Sequence, residues 1–390
     1  MLAFSIAFLV SWIVLLLILR YEHLHHSLTA DHDLEGVQKF HVHAVPRIGG
    51  VAIMLGVVAG LIAKGFSGDP IADLTLLVPA AALPAFLAGL LEDVTKRVGV
   101  RERLLATALS AAVGGHLLGA WLQRLDLPFI DPYLQAPSIA IGFDYIKLTG
   151  IVAMGLTCFA VAGVANAFNI IDGYNGLASM VAVIILLGLG YVANIVDDRL
   201  VLVTSFTMIG AIAGFLLWNY PRGLIFLGDG GAYLIGFVIA ELSVLLVARN
   251  PSVSAWFPLL LSFYPIFETL FTMYRRIVIG KRHPGLPDAA HLHQLIYRRI
   301  VRWAIGSDNE ADKTRRNALT SPYLWLLSSL AVGPAVLFWD NTMLCVLSVV
   351  IFALIYAVIY QRIVRRRYPS WLVLRKKNPS PIGNTEESSA

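Results

Sequence analysis

Long apolar blocks separated by short polar connections run through most of the chain, and eleven of them can be delimited. Each block has roughly 17–22 residues, the length that an α-helix needs to cross a bilayer core of about 30 Å. Short alternating segments, which are typical of membrane β-barrels, are absent from the sequence. The pattern predicts an all-α polytopic membrane protein with about eleven transmembrane helices. The predicted spans are 3–19, 48–64, 71–91, 104–121, 150–168, 177–195, 200–218, 231–248, 254–274, 322–338 and 342–361.

The composition excludes an ordinary soluble domain. Of the 390 residues, 57% are hydrophobic and 14% are charged, whereas soluble domains average about 45–50% and about 25%. Both cysteines, Cys158 and Cys345, lie inside apolar blocks. The sequence therefore supplies neither a disulfide framework nor a cysteine zinc site.

The positions of lysine and arginine predict the orientation. One alternating set of connections, together with the C-terminal tail, holds 25 of the 30 basic residues. Because cytoplasmic loops are enriched in Lys and Arg, this set is predicted to be cytoplasmic, with the N-terminus outside and the C-terminus inside. We expect residues 1–361 to form one integral membrane domain whose functional loops are cytoplasmic. Residues 362–390 are expected to form a tail that is first basic and then disordered.

The polar residues that could carry chemistry are concentrated in these connections. After the fifth block, Asn166, Asn169, Asp172 and Asn175 lie within ten residues, beside two glycines. Asn166 and Asn169 are three residues apart and share a helix face, to which Asp172 adds another turn. A capped helix end followed by a turn would explain an isolated Asn-Gly pair. The density of amides at a membrane boundary favours a ligand site instead.

Carboxylates occur in two further connections. Asp229 stands in a Gly-Asp-Gly-Gly segment before the eighth block, where it could cap a helix or bind Mg²⁺ at a phosphate-accepting helix start. Glu92 and Asp93 are adjacent after the third block and could hold a metal or transfer protons. Lys96 and Arg103 follow them and suit a phosphate headgroup. An ordinary charged loop is the alternative for this segment.

Basic and histidine side chains complete the set of candidates. His291 and His293 lie two residues apart in the long connection 275–321, and they would face the same way only on an extended segment. Zinc would need further ligands at a suitable spacing, so phosphate or sugar binding is the better prediction. The other candidates for phosphate binding are Lys39, His41, Arg47 and Arg282.

Together these residues predict an enzyme that transfers a phosphoryl group between a soluble and a lipid substrate at the membrane surface. A transporter or flippase of a nucleotide sugar or a lipid phosphate is the alternative. Such a protein should place polar residues at mid-membrane in broken helices. The centres of the apolar blocks here are mostly apolar, with Glu241 and Glu268 as the main exceptions.

Five motifs, in this order, resemble those of the polyprenyl-phosphate N-acetylhexosamine-1-phosphate transferases. The resemblance is strongest to the bacterial initiating enzymes that use N-acetylglucosamine (GlcNAc). The motifs are KxHxxxxPRxGG at Lys39–Gly50, the pair Glu92-Asp93, NxxNxxDGxNGLA at Asn166–Ala178, FxGDxG at Phe226–Gly231 and HxH at His291–His293. Any one of them alone would be unspecific, whereas the five together are specific.

The resemblance implies an activity and its setting. A HexNAc 1-phosphate, with GlcNAc 1-phosphate expected, passes from a UDP-sugar to undecaprenyl phosphate in the membrane, UMP is released, and a lipid-linked cell-surface polysaccharide is started. The implied cofactor is Mg²⁺, with Mn²⁺ as an alternative. The implied location is the bacterial inner membrane, with the active site on the cytoplasmic face. No nucleic acid partner is implied, and a homodimer is left open.

The resemblance also implies four catalytic carboxylates, Glu92, Asp93, Asp172 and Asp229, and a metal site formed by Asn169 and Asp229. We expect Asp93 to act closest to the reacting phosphate and Glu92 at longer range, because Glu92 has an extra methylene where the family usually has Asp. A non-catalytic homologue is a further alternative. Direct attack by the lipid phosphate is favoured over a covalent aspartyl intermediate, since a phosphate monoester is already largely ionised at pH 7.

The remaining implied roles concern the substrates. Asn175 matches the position that contacts uracil, and Phe226 matches the one that stacks on it. Arg103 matches a basic residue that faces the lipid phosphate. His291 and His293 match the segment that touches the diphosphate and the sugar.

Overall fold

The computed structural model describes residues 1–29, 45–135, 148–279, 290–301 and 310–367. This part of the chain consists of α-helices joined by short connections. In chain order the helices are α1 (Leu2–Arg20), α2 (Glu22–Thr29), α3 (Gly49–Phe66), α4 (Ala72–Ala81), α5 (Leu83–Thr95), α6 (Val100–Leu118), α7 (Asp131–Gln135), α8 (Leu148–Ile171), α9 (Leu177–Ile195), α10 (Arg199–Asn219), α11 (Gly228–Arg249), α12 (Trp256–Leu261), α13 (Phe263–Tyr274), α14 (Leu292–Ile296), α15 (Glu310–Leu337) and α16 (Thr342–Val364). Single π-helical turns continue α13 and α14, at Arg275–Ile279 and Tyr297–Val301.

The all-helical prediction is confirmed for the described residues, but eleven spans are not. Eight helices there are long and apolar enough to cross a membrane, and a ninth span results if α4 and α5, bent by 41°, count as one. Helix α6 falls short because it begins with three charged residues, Arg101, Glu102 and Arg103. The block 254–274 is divided into α12 and α13, which contain Pro258 and Pro265. The count of eleven and the orientation remain predictions.

Helix α11 is the centre of the bundle. Every residue from Gly228 to Val247 is buried, as expected for a helix that is apolar around its whole circumference. It packs against α8 on one side and against α3 and α5 on others. We call the end of the bundle where α11 begins the site end, and the end where α11 finishes at Arg249 the far end.

Glycines let three helix backbones meet at the site end. A Cβ atom at Gly50 of α3 would lie 2.3 Å from the backbone nitrogen of Gly231, and one at Gly89 of α5 would lie 2.6 Å from that of Gly230. No larger residue fits at these two positions without moving a helix. The glycines therefore bring the start of α3 and the middle of α5 against the first turn of α11.

A similar close approach fixes the first helix in the bundle. Cβ atoms at Gly56 and Gly60 of α3, and at Gly210 and Gly214 of α10, would lie 2.4–2.7 Å from backbone oxygens of α1. Small residues at a spacing of four allow membrane helices to approach in this way. Residues 2–20 are therefore an integral helix of the bundle.

Candidate active site

Asp229, in the first turn of α11, is the carboxylate on which other motif side chains converge. Its Oδ1 accepts a hydrogen bond of 2.9 Å from Asn169 Nδ2 on α8 and one of 3.4 Å from Arg47 Nη2. Its Oδ2 pairs with Nη1 of Arg103 on α6. The Asp229 side chain is 11% exposed. Two arginines thus neutralise a largely buried negative charge at a helix start.

Asp93 contacts the backbone at the first turn of α11. Its side chain is 1% exposed, and its two oxygens accept the backbone N–H groups of Asp229 and Gly230, each at 2.8 Å. The first N–H groups of an α-helix have no partner within the helix, so a carboxylate here caps α11. Arg47 Nε lies 3.9 Å from Asp93 Oδ1. Asp93 therefore fixes the turn that carries Asp229.

Glu92 contacts a different segment from Asp93. Its Oε2 accepts the backbone N–H of Val98 at 2.8 Å, and its side chain is partly exposed. Between these residues the chain turns at Lys96, which is exposed and has a left-handed φ of 56°. Glu92 thereby stabilises the turn from α5 into α6, the helix that supplies Arg103.

The segment before α3 is joined by backbone hydrogen bonds to the segment before α11. Phe226 N–H donates to Pro46 O at 2.9 Å, and Gly49 N–H donates to Phe226 O at 3.0 Å. Gly228 has φ +75°, and a Cβ there would lie 1.9 Å from Arg47 O and 2.6 Å from Asp93 Oδ2. Only glycine fits at this position. These contacts hold Arg47 beside the two aspartates.

Asp172 directly follows α8, about one turn beyond Asn169. Burial raises the pKa of Asp172 to about 7, and the positive charge of Arg47 acts in the opposite direction. The charge of Asp172 in turn acts on Asp93. A bound cation would favour the ionised form of Asp172. Asp93 and Asp229 lie beside Arg47, and Asp172 is near enough for its charge to interact with those of Arg47 and Asp93.

Asn175 is buried and forms hydrogen bonds with α15 and with the connection after α10. Its backbone N–H donates to Asn317 Oδ1 at 2.8 Å, its Nδ2 donates to Pro221 O at 3.0 Å, and its carbonyl accepts from Ser321 Oγ at 2.6 Å. Its Oδ1 has no hydrogen-bond partner among the described residues. Trp325 Nε1 donates to the carbonyl of the following residue, Gly176, at 3.1 Å. Sequence reasoning missed Asn317, Ser321 and Trp325. Their spacing of four along α15 was the available signal.

The two histidines of the HxH motif lie side by side. His291 precedes α14 in an extended conformation, and its ring stacks on that of His293 with centroids 5.2 Å apart and an interplanar angle of 4°. His293 lies edge-on to Tyr174 with centroids 5.5 Å apart, and a Cβ at Gly173 would lie 3.4 Å from His293 Nε2. The HxH motif thus meets the loop after α8. Gln294 Oε1 accepts the backbone N–H of His291 at 3.3 Å and fixes this turn.

Three predicted phosphate-binding residues, Lys39, His41 and Arg282, lie outside the described residues. Phe226 is described and partly exposed, with its backbone bound to the segment before α3. The structure therefore unites Arg47, Arg103, Asn169 and Asp229 in one cluster. It places His293 against the loop that follows Asp172.

Comparison with known proteins supplies the family. A model described as glycosyl transferase family 4 matches residues 75–247. A Bacillus subtilis protein named a probable undecaprenyl-phosphate N-acetylglucosaminyl 1-phosphate transferase is 30% identical over 262 residues, which are 67% of this chain and 68% of that protein. The chain belongs to glycosyl transferase family 4. The resemblance stated from the motifs is thereby confirmed.

Two further relatives show the range of names within glycosyl transferase family 4. A Thermotoga maritima undecaprenyl-phosphate alpha-N-acetylglucosaminyl 1-phosphate transferase is 28% identical over 274 residues, 70% of this chain and 74% of that protein. A Leuconostoc citreum phospho-N-acetylmuramoyl-pentapeptide-transferase is 27% identical over 266 residues, 64% of this chain and 75% of that protein. Membership establishes a multi-pass membrane phosphotransferase with bacterial homologues, for which the family implies a UDP-sugar and a lipid phosphate as substrates.

Members of glycosyl transferase family 4 depend on Mg²⁺. This ion is usually bound through one or two carboxylates together with substrate phosphates, and it keeps several waters. The carboxylates of Asp229 and Asp172 and the amide oxygen of Asn169 are hard donors of that kind. Within the described ranges, no group of three or more His, Cys, Asp or Glu side chains could hold a metal ion. The donors present fit an Mg²⁺ ion whose coordination is completed by substrate oxygens.

Proposed function

We propose that this chain transfers a HexNAc 1-phosphate, specifically GlcNAc 1-phosphate, from its UDP derivative to undecaprenyl phosphate and releases UMP. The observation that carries the proposal is the environment of Asp229, a carboxylate at a helix start that is bonded to Asn169 and flanked by Arg47 and Arg103. Similarity to the Bacillus subtilis and Thermotoga maritima proteins favours GlcNAc over the muramoyl-pentapeptide named for the Leuconostoc citreum protein.

The residues around Asp229 suit a diphosphate. Bound Mg²⁺ would be held by Asp229, Asn169 and Asp172 and would supply charge neutralisation at the diphosphate. Arg47 and Arg103 present guanidinium groups, which bind phosphate oxygens in a bidentate manner. When the UDP-sugar enters, these arginines exchange the Asp229 carboxylate for phosphate oxygens.

In the reaction, an oxygen of the lipid phosphate forms a bond to the β-phosphorus of the UDP-sugar. The bond from that phosphorus to the bridging oxygen breaks, and UMP leaves with the electron pair. Arg103 and the exposed Lys96 are proposed to compensate the charge of the second anionic phosphate, that of the lipid. We propose that Asp93 acts by fixing the first turn of α11, which carries Asp229. Glu92 acts by holding the turn before Arg103.

The nucleoside and the sugar are assigned to other side chains. Phe226 is partly exposed, and backbone hydrogen bonds join its segment to the one that carries Arg47, so its ring can stack on uracil. Asn175 retains an unpartnered acceptor, Oδ1, which suits the imide N–H of that base. His291 and His293 are proposed to contact the diphosphate and the sugar. The site is proposed to face the cytoplasm at a bacterial inner membrane, where its product starts a cell-surface polysaccharide.

The direct test uses purified protein in detergent with undecaprenyl phosphate, Mg²⁺ and a radiolabelled UDP-sugar. Labelled GlcNAc should enter a chloroform-soluble lipid, with UMP released in equal amount, and the mass of that lipid should equal undecaprenyl-diphospho-GlcNAc. Parallel reactions with UDP-GalNAc and UDP-MurNAc-pentapeptide test the choice of sugar. A labelled lipid from either of these, and none from UDP-GlcNAc, would overturn the GlcNAc assignment. Uptake of intact UDP-sugar into proteoliposomes without any lipid product would identify a transporter.

A further inference from the structure

Glu268 is a fully buried acid within the apolar helix α13, and it lies in contact with the HxH motif. Its Oε1 accepts the backbone N–H of Leu292 at 3.0 Å and lies 3.2 Å from Nδ1 of His291. Its Oε2 accepts a hydrogen bond of 2.6 Å from the hydroxyl of Tyr356 on α16. One carboxylate therefore joins α13, the HxH motif and the last described helix.

If Glu268 is ionised, the hydrogen-bond pattern determines which ring nitrogen of His291 carries a hydrogen. Both oxygens of Glu268 already accept an N–H or O–H donor, as an ionised carboxylate does. The hydrogen bond to His291 then requires that Nδ1 carries a hydrogen. Thr272 Oγ1 lies 3.2 Å from the same nitrogen. Nδ1 is thus engaged by α13, and Nε2 is the nitrogen left for a ligand, as is common where a carboxylate orients a functional histidine.

Two further contacts connect the same segment to α16. Tyr360 donates from its hydroxyl to Ala290 O at 3.1 Å. Arg299 Nη1 donates to Ile363 O at 3.0 Å, at the C-terminal end of α16. The residues from 290 to 301 are therefore held to the last described helix through Tyr356, Tyr360 and Arg299, and among these described contacts that of Tyr356 passes through Glu268.

We propose that Glu268 is a positioning residue, which sets the tautomer and the orientation of His291 and, through Tyr356, fixes the HxH motif to α16. This inference rests on the proposed function, because His291 acts there on the diphosphate and the sugar. Glu268 itself touches no substrate. Its effect on turnover must therefore pass through His291.

A double-mutant cycle tests that dependence. Glu268→Gln keeps the shape of the side chain and removes its charge, so it should lower kcat/KM for the UDP-sugar by about tenfold. KM for the lipid phosphate should stay unchanged. In a His291→Ala background the same substitution should change kcat/KM by less than about twofold. An equal loss in both backgrounds would overturn the proposal and would leave Glu268 a structural residue.

Matched variants separate positioning from stability. Tyr356→Phe removes only the hydrogen bond to Oε2 and should lower kcat/KM by about two- to threefold, again only when His291 is present. Glu241→Gln makes the same isosteric change at another fully buried acid, whose oxygens have no hydrogen-bond partner among the described residues. It should leave both KM values unchanged. If Glu268→Gln does not fold, the Tyr356→Phe and His291→Ala cycle decides the question.

A spectroscopic measurement keeps this inference apart from the proposed function. With ¹⁵N-labelled histidine in the full-length protein, the signals that disappear in His291→Ala belong to that ring. Wild-type protein should show a protonated Nδ1 at His291, and Glu268→Gln should shift that signal. An unprotonated Nδ1 in the wild type would overturn the tautomer assignment whatever the enzyme transfers. Conversely, a protonated Nδ1 with no labelled lipid product would mean that the proposed function alone had failed.

Discussion

Asp229 at the site end and Asp126 at the far end are both largely buried aspartates that lie beside an arginine. The Asp126 side chain is 15% exposed and Arg124 Nε lies 3.3 Å from it. Asp126 Oδ2 accepts from the backbone N–H of Ala255 at 2.7 Å and from the hydroxyls of Thr342 at 2.9 Å and Ser254 at 3.2 Å, beside the starts of two helices. Among the described residues, the partners of Asp229 are all side chains, whereas Asp126 also accepts a backbone N–H. Side chains can turn to another partner when a ligand arrives, whereas the N–H groups of a helix start cannot.

This difference separates residues that can take part in chemistry from residues that hold the bundle. By the same criterion Asp93 belongs with Asp126, although it lies in a motif, because both of its oxygens accept backbone N–H groups. Membership of a motif therefore does not distinguish the two roles. The kind of hydrogen-bond partner does.

The largest expected effect is that of Asp229→Asn. It removes the charge that would hold Mg²⁺, so turnover should fall by at least about 100-fold, or about 2.7 kcal/mol of transition-state stabilisation. The melting temperature should fall less than in Asp93→Asn: Arg47 and Arg103 lose a charged partner, but Asp93 still caps α11. Turnover of purified protein across an Mg²⁺ titration is the measurement. Near-normal turnover in a folded Asp229→Asn protein would refute the metal assignment.

Asp93→Asn should also lower turnover by about 100-fold, but with a loss of stability. An amide can accept with only one of its two terminal atoms, so its NH₂ group would face a backbone N–H of α11. Glu92→Gln should cost no more than about tenfold, since its oxygen can still accept from Val98, and Glu92→Asp should keep most activity. Turnover and thermal melting of the three variants are compared. An inactive Glu92→Gln protein beside a nearly normal Asp93→Asn protein would overturn both role assignments.

The helices could be predicted from sequence because lipid imposes long apolar runs, and the predicted span 177–195 coincides with α9. The central position of α11 could not be predicted from sequence, since residues facing lipid and residues facing protein are equally apolar.

Asp93 and Asp229 are the same residue type, and only the fold shows which one caps a helix. Glu268 stood out as an acid in an apolar block, but its partner His291 lies 23 positions away. Asn317 meets Asn175 across 142 positions, beyond any local pattern.

A smaller kinetic effect is expected from substitutions of the two residues proposed to bind the base. Phe226→Ala should raise the KM for the UDP-sugar by about tenfold, because stacking of a base on an aromatic ring is worth about 1–3 kcal/mol. Asn175→Ala should raise the same KM and also lower the melting temperature, since Asn175 holds Pro221. Steady-state kinetics with each substrate varied in turn provide the measurement. A change in KM for the lipid alone would show that neither residue contacts the base.

Asp126→Asn tests the far end of the comparison. The substitution leaves a donor without a good acceptor at a helix start and should cost about 1–3 kcal/mol of stability. Turnover at a temperature well below the melting point should stay within about twofold of wild type, because no substrate-binding side chain is nearby. Thermal melting and turnover are measured on the same preparation. A large fall in turnover without destabilisation would show that the kind of partner does not separate the two roles.

The smallest expected effect concerns the basic tail, which is the remaining candidate for a third functional region. Helix α16 ends at Val364, and Arg299 already donates to Ile363 O there. Truncation after Arg367 removes Arg375, Lys376 and Lys377 but none of these contacts. Basic residues that follow a membrane helix attract anionic lipid, so the shortened protein should keep its activity in detergent and associate less with anionic vesicles. Truncation after Ser348 is the control, because it also removes Tyr356 and Tyr360. If the protein truncated after Arg367 lost its activity but melted normally, the tail would have to reach the substrates.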